Sequence, residues 1–438
     1  MGKSFKITIT PTNSGINIGE KKPYGHFLET LDHIPGSVIR GAFAKMLMVE
    51  DNDLFGVLFE SSMDIISFTD LYPLTGPSKI GLSLPLPMTA VSCKYEPGFC
   101  TGYDEDGEIE DPPPHGVFDT LIHQLIFKPL RDKMPVAFQP RCPKCGERVE
   151  PFSGYYSFID AVNEKRNHTN CKLANNECYP EWKASCVKDE CPRSYRMEKT
   201  RTQRTTKVAI SRMREVSQDR MLYSVESIAK EQGFSGLVTV SDESLLDKVK
   251  NHLKIPDRMR LGGGVSRGFG QVKIEVSNHD IRDSAEDVKN RITKFNSKIT
   301  EMTEFYDLFG ADSLNLGNTY FAIDLISDTM ILDDFLKSAF EISGNYLKKL
   351  LGVNCDIKLV NRYSQMTEHS GWSFAWRLPK GKEQAIQRGS VFLFQCDDIN
   401  SLYEPLSNLQ IVGIGQKREE GYGRIMVCNP LHEEVYCS

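Results

Sequence analysis

The stretch LGGGVSRGFGQVKIEV, Leu261–Val276, crowds glycines around one arginine and runs straight into an alternating strand. A near-echo, GIGQKREEGYGRIMV, begins at Gly413. Each loop follows a helix-like stretch and opens a strand. A backbone without Cβ lets a ligand approach closely and tolerates positive φ, and successive N–H groups in such a loop converge on one anion, typically phosphate. Arg267 in the first copy and Arg424 in the second add fixed positive charge and a flat stacking surface. Walker-type loops need lysine followed by Ser/Thr at fixed spacing, and a Rossmann loop opens a helix; neither description fits. A glycine turn built for packing alone is the competing explanation. Two copies, each with an arginine, favour a duplicated phosphate-binding domain.

With 438 residues, 26% of them charged, the chain has room for two or three domains. The net charge of −6 does not by itself speak for nucleic acid, so local distribution decides. Between Arg193 and Arg220 stand nine basic residues against Glu198, Glu215 and Asp219. The middle of this span, TRTQRTTKVAISRMR, alternates basic and hydroxyl side chains, both suited to phosphate and ribose. A solvated surface strand is the alternative. The N-terminal MGKSFKITIT has no apolar core of a signal peptide, and no stretch is long enough to span a membrane. A cytoplasmic, reducing compartment follows as the expectation, in which the twelve cysteines are free or metal-bound rather than disulfide-bonded.

Alternation at Phe5, Ile7 and Ile9 predicts a first strand. IPGSVIRGAFAKMLM, Ile34–Met48, predicts a helix entered through Pro35-Gly36-Ser37, with Ser37 as N-cap. The amides at that start, with Gly36, Ser37 and Arg40, form a second candidate anion site. A strand follows over Ile65–Leu74, and strands are expected at Leu222–Ile228 and Gly233–Val240 with a helix at Ser241–Leu253. The Pro-, Cys- and charge-rich segment 85–200 interrupts this series as an insertion. After a polar linker, TYFAIDLI is a strand, DDFLKSAFEI a helix, WSFAWRL and GSVFLFQ strands, and Leu402–Leu409 a short helix before the second glycine loop. The order suits an α+β chain of two ferredoxin-like, RRM-type domains.

Cys142-Pro143-Lys144-Cys145-Gly146 is a zinc-knuckle sequence, with two thiolates three apart and a glycine that frees amides to face sulfur. Two sets of further ligands are open. One is Cys93 with His115; the other draws on Cys171, Cys178, Cys186 and Cys191, which also suffice for a second site of their own. Full Cys/His coordination leaves no open position, so the expected role of the Zn2+ is structural.

Taken together, IPGSVIRGAFA, the basic segment with RMLYSVESI, GGGVSRGFGQVKIEV, IQRGSVFLFQ and GIGQKREEGYGRIMV resemble the RAMP superfamily of CRISPR-associated proteins. SCKYEPGF, HGVFDTL and the CPKCG insertion are most similar to the subunit that caps the crRNA 5′ handle in type III-D, and related type VII, effectors. The resemblance implies a RAMP/ferredoxin-like domain over 1–277, with a zinc insertion at 85–200 and a β-hairpin thumb at 200–220. A linker, 278–317, and a second RAMP domain, 318–438, complete the chain. Zinc ligands would be Cys93, His115, Cys142 and Cys145. Partners would be the crRNA 5′ handle, the backbone RAMP subunits, and a large polymerase-like subunit or an associated nuclease. RNA contacts would come from Gly36, Ser37 and Arg40, from Arg201, Arg204, Lys207 and Arg212 in the thumb, and from Gly262, Gly263, Gly264, Arg267 and Phe269 in the first loop. Tyr422 and Arg424 join them from the second loop, which also suits subunit contact. The competing functions are an endoribonuclease that processes precursor crRNA, with His26 and His33 as acid–base candidates, and a zinc-ribbon nucleic-acid binder outside CRISPR.

Overall fold

β1, Lys3–Pro11, buries Phe5, Ile7 and Ile9 on one face, as strand alternation dictates. In the computed structural model, which describes residues 3–19, 27–61, 65–74, 82–99, 114–133, 138–158, 195–210, 217–256, 258–277, 283–307, 319–333, 337–370, 372–373, 378–379 and 381–433, this strand is central to a sheet. Helix α1, Gly36–Glu50, lays Ile39, Phe43, Met46 and Leu47 into the same core, at the i, i+3, i+4 spacing of one helix face. β2 (Ile66–Phe68), β3 (Gly233–Val240), α2 (Leu246–Leu253) and β4 (Val272–Ser277) follow. The strands lie in the order β4-β1-β3-β2, every neighbour antiparallel. Val249 and Leu253 of α2 close the core beside α1. Each such large aliphatic side chain contributes about 1.5–3 kcal/mol by leaving water.

A 23-residue helix, α3 (Ala285–Asp307), occupies most of the stretch expected to be a plain polar linker. Val288, Ile292, Phe295, Ile299 and Met302 make its buried stripe. Ser284 and Asp287 exchange side-chain and backbone hydrogen bonds at its start, a capping box. The second half then repeats the plan of the first. β5 (Thr319–Leu325), α4 (Gly344–Leu351), β6 (Ile357–Tyr363), β7 (Val391–Cys396), α5 (Tyr403–Val412) and β8 (Ile425–Val427) give the sheet order β6-β7-β5-β8, again antiparallel throughout. Both halves therefore run strand-helix-strand-strand-helix-strand with the first and third strands central. The fold is α+β.

Two expectations fail locally. The segment DDFLKSAFEI is not a helix where it is described. Leu332 bridges to Ser338, and the Asp333 carboxylate accepts the Lys337 amide, so the chain turns back on itself. A short acidic side chain that captures a nearby amide competes with helix in this way. The helix begins later, at Gly344, where Ser343 accepts the Tyr346 amide as its N-cap. In α1 the N-cap is Pro35 rather than Ser37, with Gly36 already helical. The proline ring fixes its own φ and offers no side-chain acceptor, so the cap must come from elsewhere in the fold.

The chain divides into two units. One comprises Met1–Pro73, Lys199–Asn296 and Leu316–Asn429, and holds both halves just described; the other comprises Leu74–Glu198, Ser297–Asn315 and Pro430–Ser438. In the second unit Ala90–Cys93 pairs with Val117–Asp119 on one side and Val149–Pro151 on the other. A further small sheet centres on Tyr155–Phe158. Leu86, Ala90, Phe99, Val117, Tyr156 and Leu431 form its core. Among the described residues, no helix is long and apolar enough to cross a membrane.

Candidate functional site

The CPKCG turn is built by its backbone. Gly146 donates to the Cys142 carbonyl at 2.8 Å and adopts φ 71°, while the Cys142 amide donates to the Glu147 carbonyl at 2.8 Å. Cys93 ends one strand of the small sheet, and the His115 amide, bonded to the Glu96 carbonyl, starts the approach to the next. The four side chains Cys93, His115, Cys142 and Cys145 thereby converge, all donor atoms within 4.8 Å of one another. Cys93 Sγ lies 3.7 Å from Cys145 Sγ, and Cys142 Sγ lies 3.4 Å from His115 Nδ1. A tetrahedral ion with metal–sulfur bonds of about 2.3 Å and metal–nitrogen bonds of about 2.0 Å separates its donors by roughly 3.5–3.8 Å. The observed spacings fit, and they are far too long for a disulfide.

The electrostatics ask for a cation. Burial works against the Cys93 thiolate, but the Glu96 and Tyr95 amides and the neighbouring thiols outweigh it and hold its pKa below the ordinary thiol value. At Cys145 the Glu147 amide favours the thiolate, yet desolvation and the adjacent Cys142 and Cys93 push the thiol up to about 11. Burial, then the nearby Lys144 ammonium, lowers the His115 pKa and keeps the imidazole neutral, as a ligand must be. Three thiols this close cannot all ionise without a positive charge between them. Of the two ligand sets left open by the sequence, the fold assembles the Cys93–His115 set. Cys171, Cys178, Cys186 and Cys191 lie outside the described residues.

The other candidate residues belong to the first unit. The basic segment forms an antiparallel hairpin of Thr202–Ile210 with Ser217–Ile228, its register shifting at Val208/Ile210. Arg201 and Arg204 are exposed with Thr202, Thr205 and Thr206 around them. Arg204 stands opposite Glu226, and the side chain of Lys207 lies outside those the structure describes. Arg212 lies outside the described residues.

The two glycine loops have the same backbone. In each, a short 3-10 turn, Val265–Arg267 or Arg418–Glu420, stands between left-handed residues, Gly264 and Gly268 or Lys417 and Gly421. Leu261 donates to the Gly270 carbonyl as Ile414 does to Gly423, and Gly263 donates to Asn17 as Gln416 does to Met330. On this equivalence Arg267 matches Glu420, and Arg424 matches Gln271. Arg424 is not a counterpart of the first-loop arginine. Its guanidinium is enclosed, donating to the Ile411 carbonyl at 2.7 Å, and burial lowers its pKa to about 10. Phe269 is also buried and fills the underside of its loop instead of offering a stacking face. Gly262 is half-buried, whereas Gly263, Gly264 and Arg267 are exposed.

These loops differ sharply in what an added methyl would meet. A Cβ at Gly270 would lie 2.4 Å from the Leu261 carbonyl oxygen, whereas at Gly268 the nearest atom is Ser14 Oγ, 3.8 Å away. Both have strongly positive φ. Gly268→Ala should therefore cost about 1–2 kcal/mol, the penalty of the left-handed conformation alone. Gly270→Ala should cost about 2–3 kcal/mol, because the backbone must also move. Urea midpoints of the two variants check this order, and the reverse order would refute the loop geometry.

The start of α1 is not an open anion site. The Gly36 amide donates to Asp70 Oδ1 at 2.9 Å, so a carboxylate of the chain already occupies the position. Burial raises the Asp70 pKa, opposed by the charge of His33 and by this amide. The tip of the second loop packs over the same spot: a Cβ on Gly36 would lie 2.7 Å from the Glu420 oxygen, and one on Gly421 2.9 Å from Asp70 Oδ1. Ser37 is half-buried, and the Arg40 guanidinium sits 5.0 Å above the Phe59 ring, a cation–π contact that gives it a structural use. Tyr422, half-buried beside the His369 ring, has its hydroxyl pKa raised, chiefly by burial. Nothing in the sequence marked Asp70 for this role.

Residues 19–273 match the model of the RAMP superfamily. The chain belongs to that superfamily. No curated protein shows significant similarity to this RAMP protein. Among solved structures, a chain of the type III-B Cmr-beta complex bound to cognate target RNA and AMPPnP is 11% identical, covering 89% of this chain and 86% of its own, with a TM-score of 0.38. A Cas6 product complex gives 10% identity, 98% and 100% coverage and a TM-score of 0.36. The Csm3-Csm4 subcomplex of a type III-A CRISPR-Cas interference complex gives 13%, 90% and 92%, and 0.35. Likenesses this distant leave the assignment resting on the family match.

Proposed function

We propose that this RAMP protein is a structural, RNA-binding subunit of a CRISPR effector complex that caps the 5′ handle of the crRNA and anchors the backbone subunits. One juxtaposition supports the reading above all. The turn Ser14–Asn17 touches the basic hairpin and the first glycine loop at once: Gln203 Nε2 donates to the Ser14 carbonyl at 3.0 Å, Ile16 bridges to Ile228, Asn17 bridges to Gly263, and Gly270 donates to the Gly15 carbonyl. The hairpin that carries Arg201 and Arg204 and the loop that carries Arg267 are thus held on the two flanks of one turn. A single strand threaded there meets guanidinium groups for its phosphates and hydroxyls for its riboses.

In this reading residues 1–277 and 318–438 are two ferredoxin-like RAMP domains, the hairpin is the thumb, and 85–200 is an insertion held by a structural zinc. Cysteine and histidine fill all four positions around that ion, leaving none for chemistry. The protein works in the cytoplasm. Its partners are the crRNA, backbone RAMP subunits and a large polymerase-like subunit or an associated nuclease. Gly36, Ser37 and Tyr422 contribute through the joint between the two domains rather than as an open phosphate cradle. An endoribonuclease gains no support: His33 is buried with its Nδ1 2.8 Å from Asp32, and His26 lies outside the described residues.

Expression with the neighbouring genes, followed by sequencing of the co-purifying RNA, tests the reading. Short RNAs sharing a repeat-derived 5′ tag are expected; heterogeneous RNA, or none, would overturn it. Arg201→Ala, Arg204→Ala and Arg267→Ala should each weaken binding of that RNA several-fold and flatten the logarithmic salt dependence by about 0.7 per arginine. A full salt slope in all three variants would show that these side chains touch no phosphate.

A further inference from the structure

Several contacts converge on the short segment Thr30–His33. On one side it is stitched to the thumb hairpin. Phe27 and Leu28 pair in parallel with Ser224 and Val225, the Thr30 amide donates to Glu226 Oε2 at 3.2 Å, and the Thr200 hydroxyl donates to the Asp32 carbonyl. Glu226 Oε1 also accepts from the Thr202 hydroxyl at 3.2 Å. On the other side the segment is tied to the second half of the same unit. Arg388 Nη2 reaches Asp32 Oδ1 at 3.1 Å, while Nη1 lies 3.4 Å from Asp328 Oδ2 and the Arg388 amide donates to Asp328 Oδ1 at 2.7 Å. Asp328 is itself fixed: His369 Nε2 lies 2.9 Å from it and the Gly423 amide of the second glycine loop donates to its carbonyl. The planar fork of arginine lets one side chain serve two carboxylates in two directions.

The geometry points to Arg388 as a positioning residue that sets the direction of the thumb hairpin, acting from the second domain through Asp32 and the Thr30–His33 segment. It touches no RNA in this account. The hairpin forms a sheet of its own with Phe27–Leu28, apart from the first sheet, so without a tie at its base it would sample a cone of directions. The Arg388–Asp32 link joins that base to the half that carries the second glycine loop. The significance for RNA rests on the proposed thumb contacts; the mechanical claim does not.

Asp32→Asn cuts the link at its exposed end and leaves Arg388 on Asp328, so the second domain keeps its internal pairing. In the full chain, amide exchange at Thr202–Thr206 and Ser224–Ile228 should quicken in Asp32→Asn and in Arg388→Gln, with cooperative unfolding retained. Affinity for the co-purifying tagged RNA should fall roughly three- to fivefold, the size of a partly exposed ion pair, while the salt slope stays at its wild-type value because no phosphate contact is lost. Unchanged exchange in both variants would overturn the inference, and so would a flattened salt slope, which would make Arg388 a phosphate ligand. A wild-type protein that binds no tagged RNA would instead remove the proposed function, with the exchange result still deciding the placement of the hairpin.

Discussion

Cys142→Ser should strip the metal from the knuckle and unfold the small sheet that carries it. The four donors Cys93, His115, Cys142 and Cys145 come from three separate stretches, and two of them, Cys93 and Cys142, are almost wholly buried. Among the described residues, only Val149 and Val91 join these two cysteines in an apolar cluster. So small an apolar cluster cannot hold the loops together, and the binding energy of the ion must do it; in zinc-finger peptides that energy is about 10–16 kcal/mol at neutral pH. Serine keeps the size of cysteine but is a poor ligand, so the variant tests coordination rather than packing. Elemental analysis of protein purified without chelator should give about one zinc per chain in the wild type and less than about a tenth of that in the variant. The control, Cys355→Ser, should retain the metal, since Cys355 lies outside the cluster. Wild-type protein that holds no zinc under these conditions would sink the assignment. A wild type with zinc but an unchanged variant would show that other residues complete the site.

Asp119→Asn is the second large effect. Asp119 and His432 are both fully enclosed, with His432 Nδ1 3.1 Å from Asp119 Oδ1. The same oxygen accepts the Leu121 amide at 2.8 Å, and the other accepts the Thr89 hydroxyl at 2.5 Å. This carboxylate thus ties its own strand, Val117–Asp119, to the stretch at Thr89, the helix Leu121–Lys133 and the turn Pro430–Glu433. Asparagine preserves the shape but removes the charge that the imidazole and hydroxyl both face, and turns an amide N–H₂ toward one of them. Removing one of two buried acceptor oxygens leaves a donor unsatisfied, at a cost of about 1–3 kcal/mol. The urea midpoint of the second unit should fall accordingly, while the hairpin of the first unit keeps its amide protection. A change below about 0.5 kcal/mol, the usual range for surface substitutions, would mean that the pair is not closed off from water.

The contrast with Asp32 is instructive. Its carboxylate is 55% exposed, and its link to Arg388 is expected to govern direction much more than stability. The same residue type, paired with a cation or an imidazole in each case, has different consequences because one pair is in water and the other is not.

Much of the plan was legible in the order of residues. The run Gly233–Val240 is a strand from end to end, and the Phe5–Ile7–Ile9 alternation marks the central strand of the first sheet, because period-two burial is a local property. The stripe Val288–Met302 was equally available at helical spacing, and taking its polar surface as a linker missed the longest helix among the described residues. DDFLKSAFEI erred in the opposite direction, since a helical pattern lost to one Asp333–Lys337 contact across a turn.

At the site, the chemistry was in the sequence and the placement was not. By itself the sequence determined that two glycine loops of one design exist, that a basic hydroxyl-rich strand precedes the first, and that CPKCG brings two thiols together at metal-ligand spacing. These depend on residue type and short spacing. The tertiary structure alone decided that Cys93 and His115 converge on the two CPKCG thiols, that Phe269 and the Arg424 guanidinium face inward, and that Asp70 fills the anion position at the start of α1. It alone set the basic hairpin and the first glycine loop on either side of Ser14–Asn17. Each of these pairings joins positions far apart in the chain. Which of several chemically suitable partners meets a given group depends on how sheets and helices stack to bury the core, and that packing carries no local sequence signature.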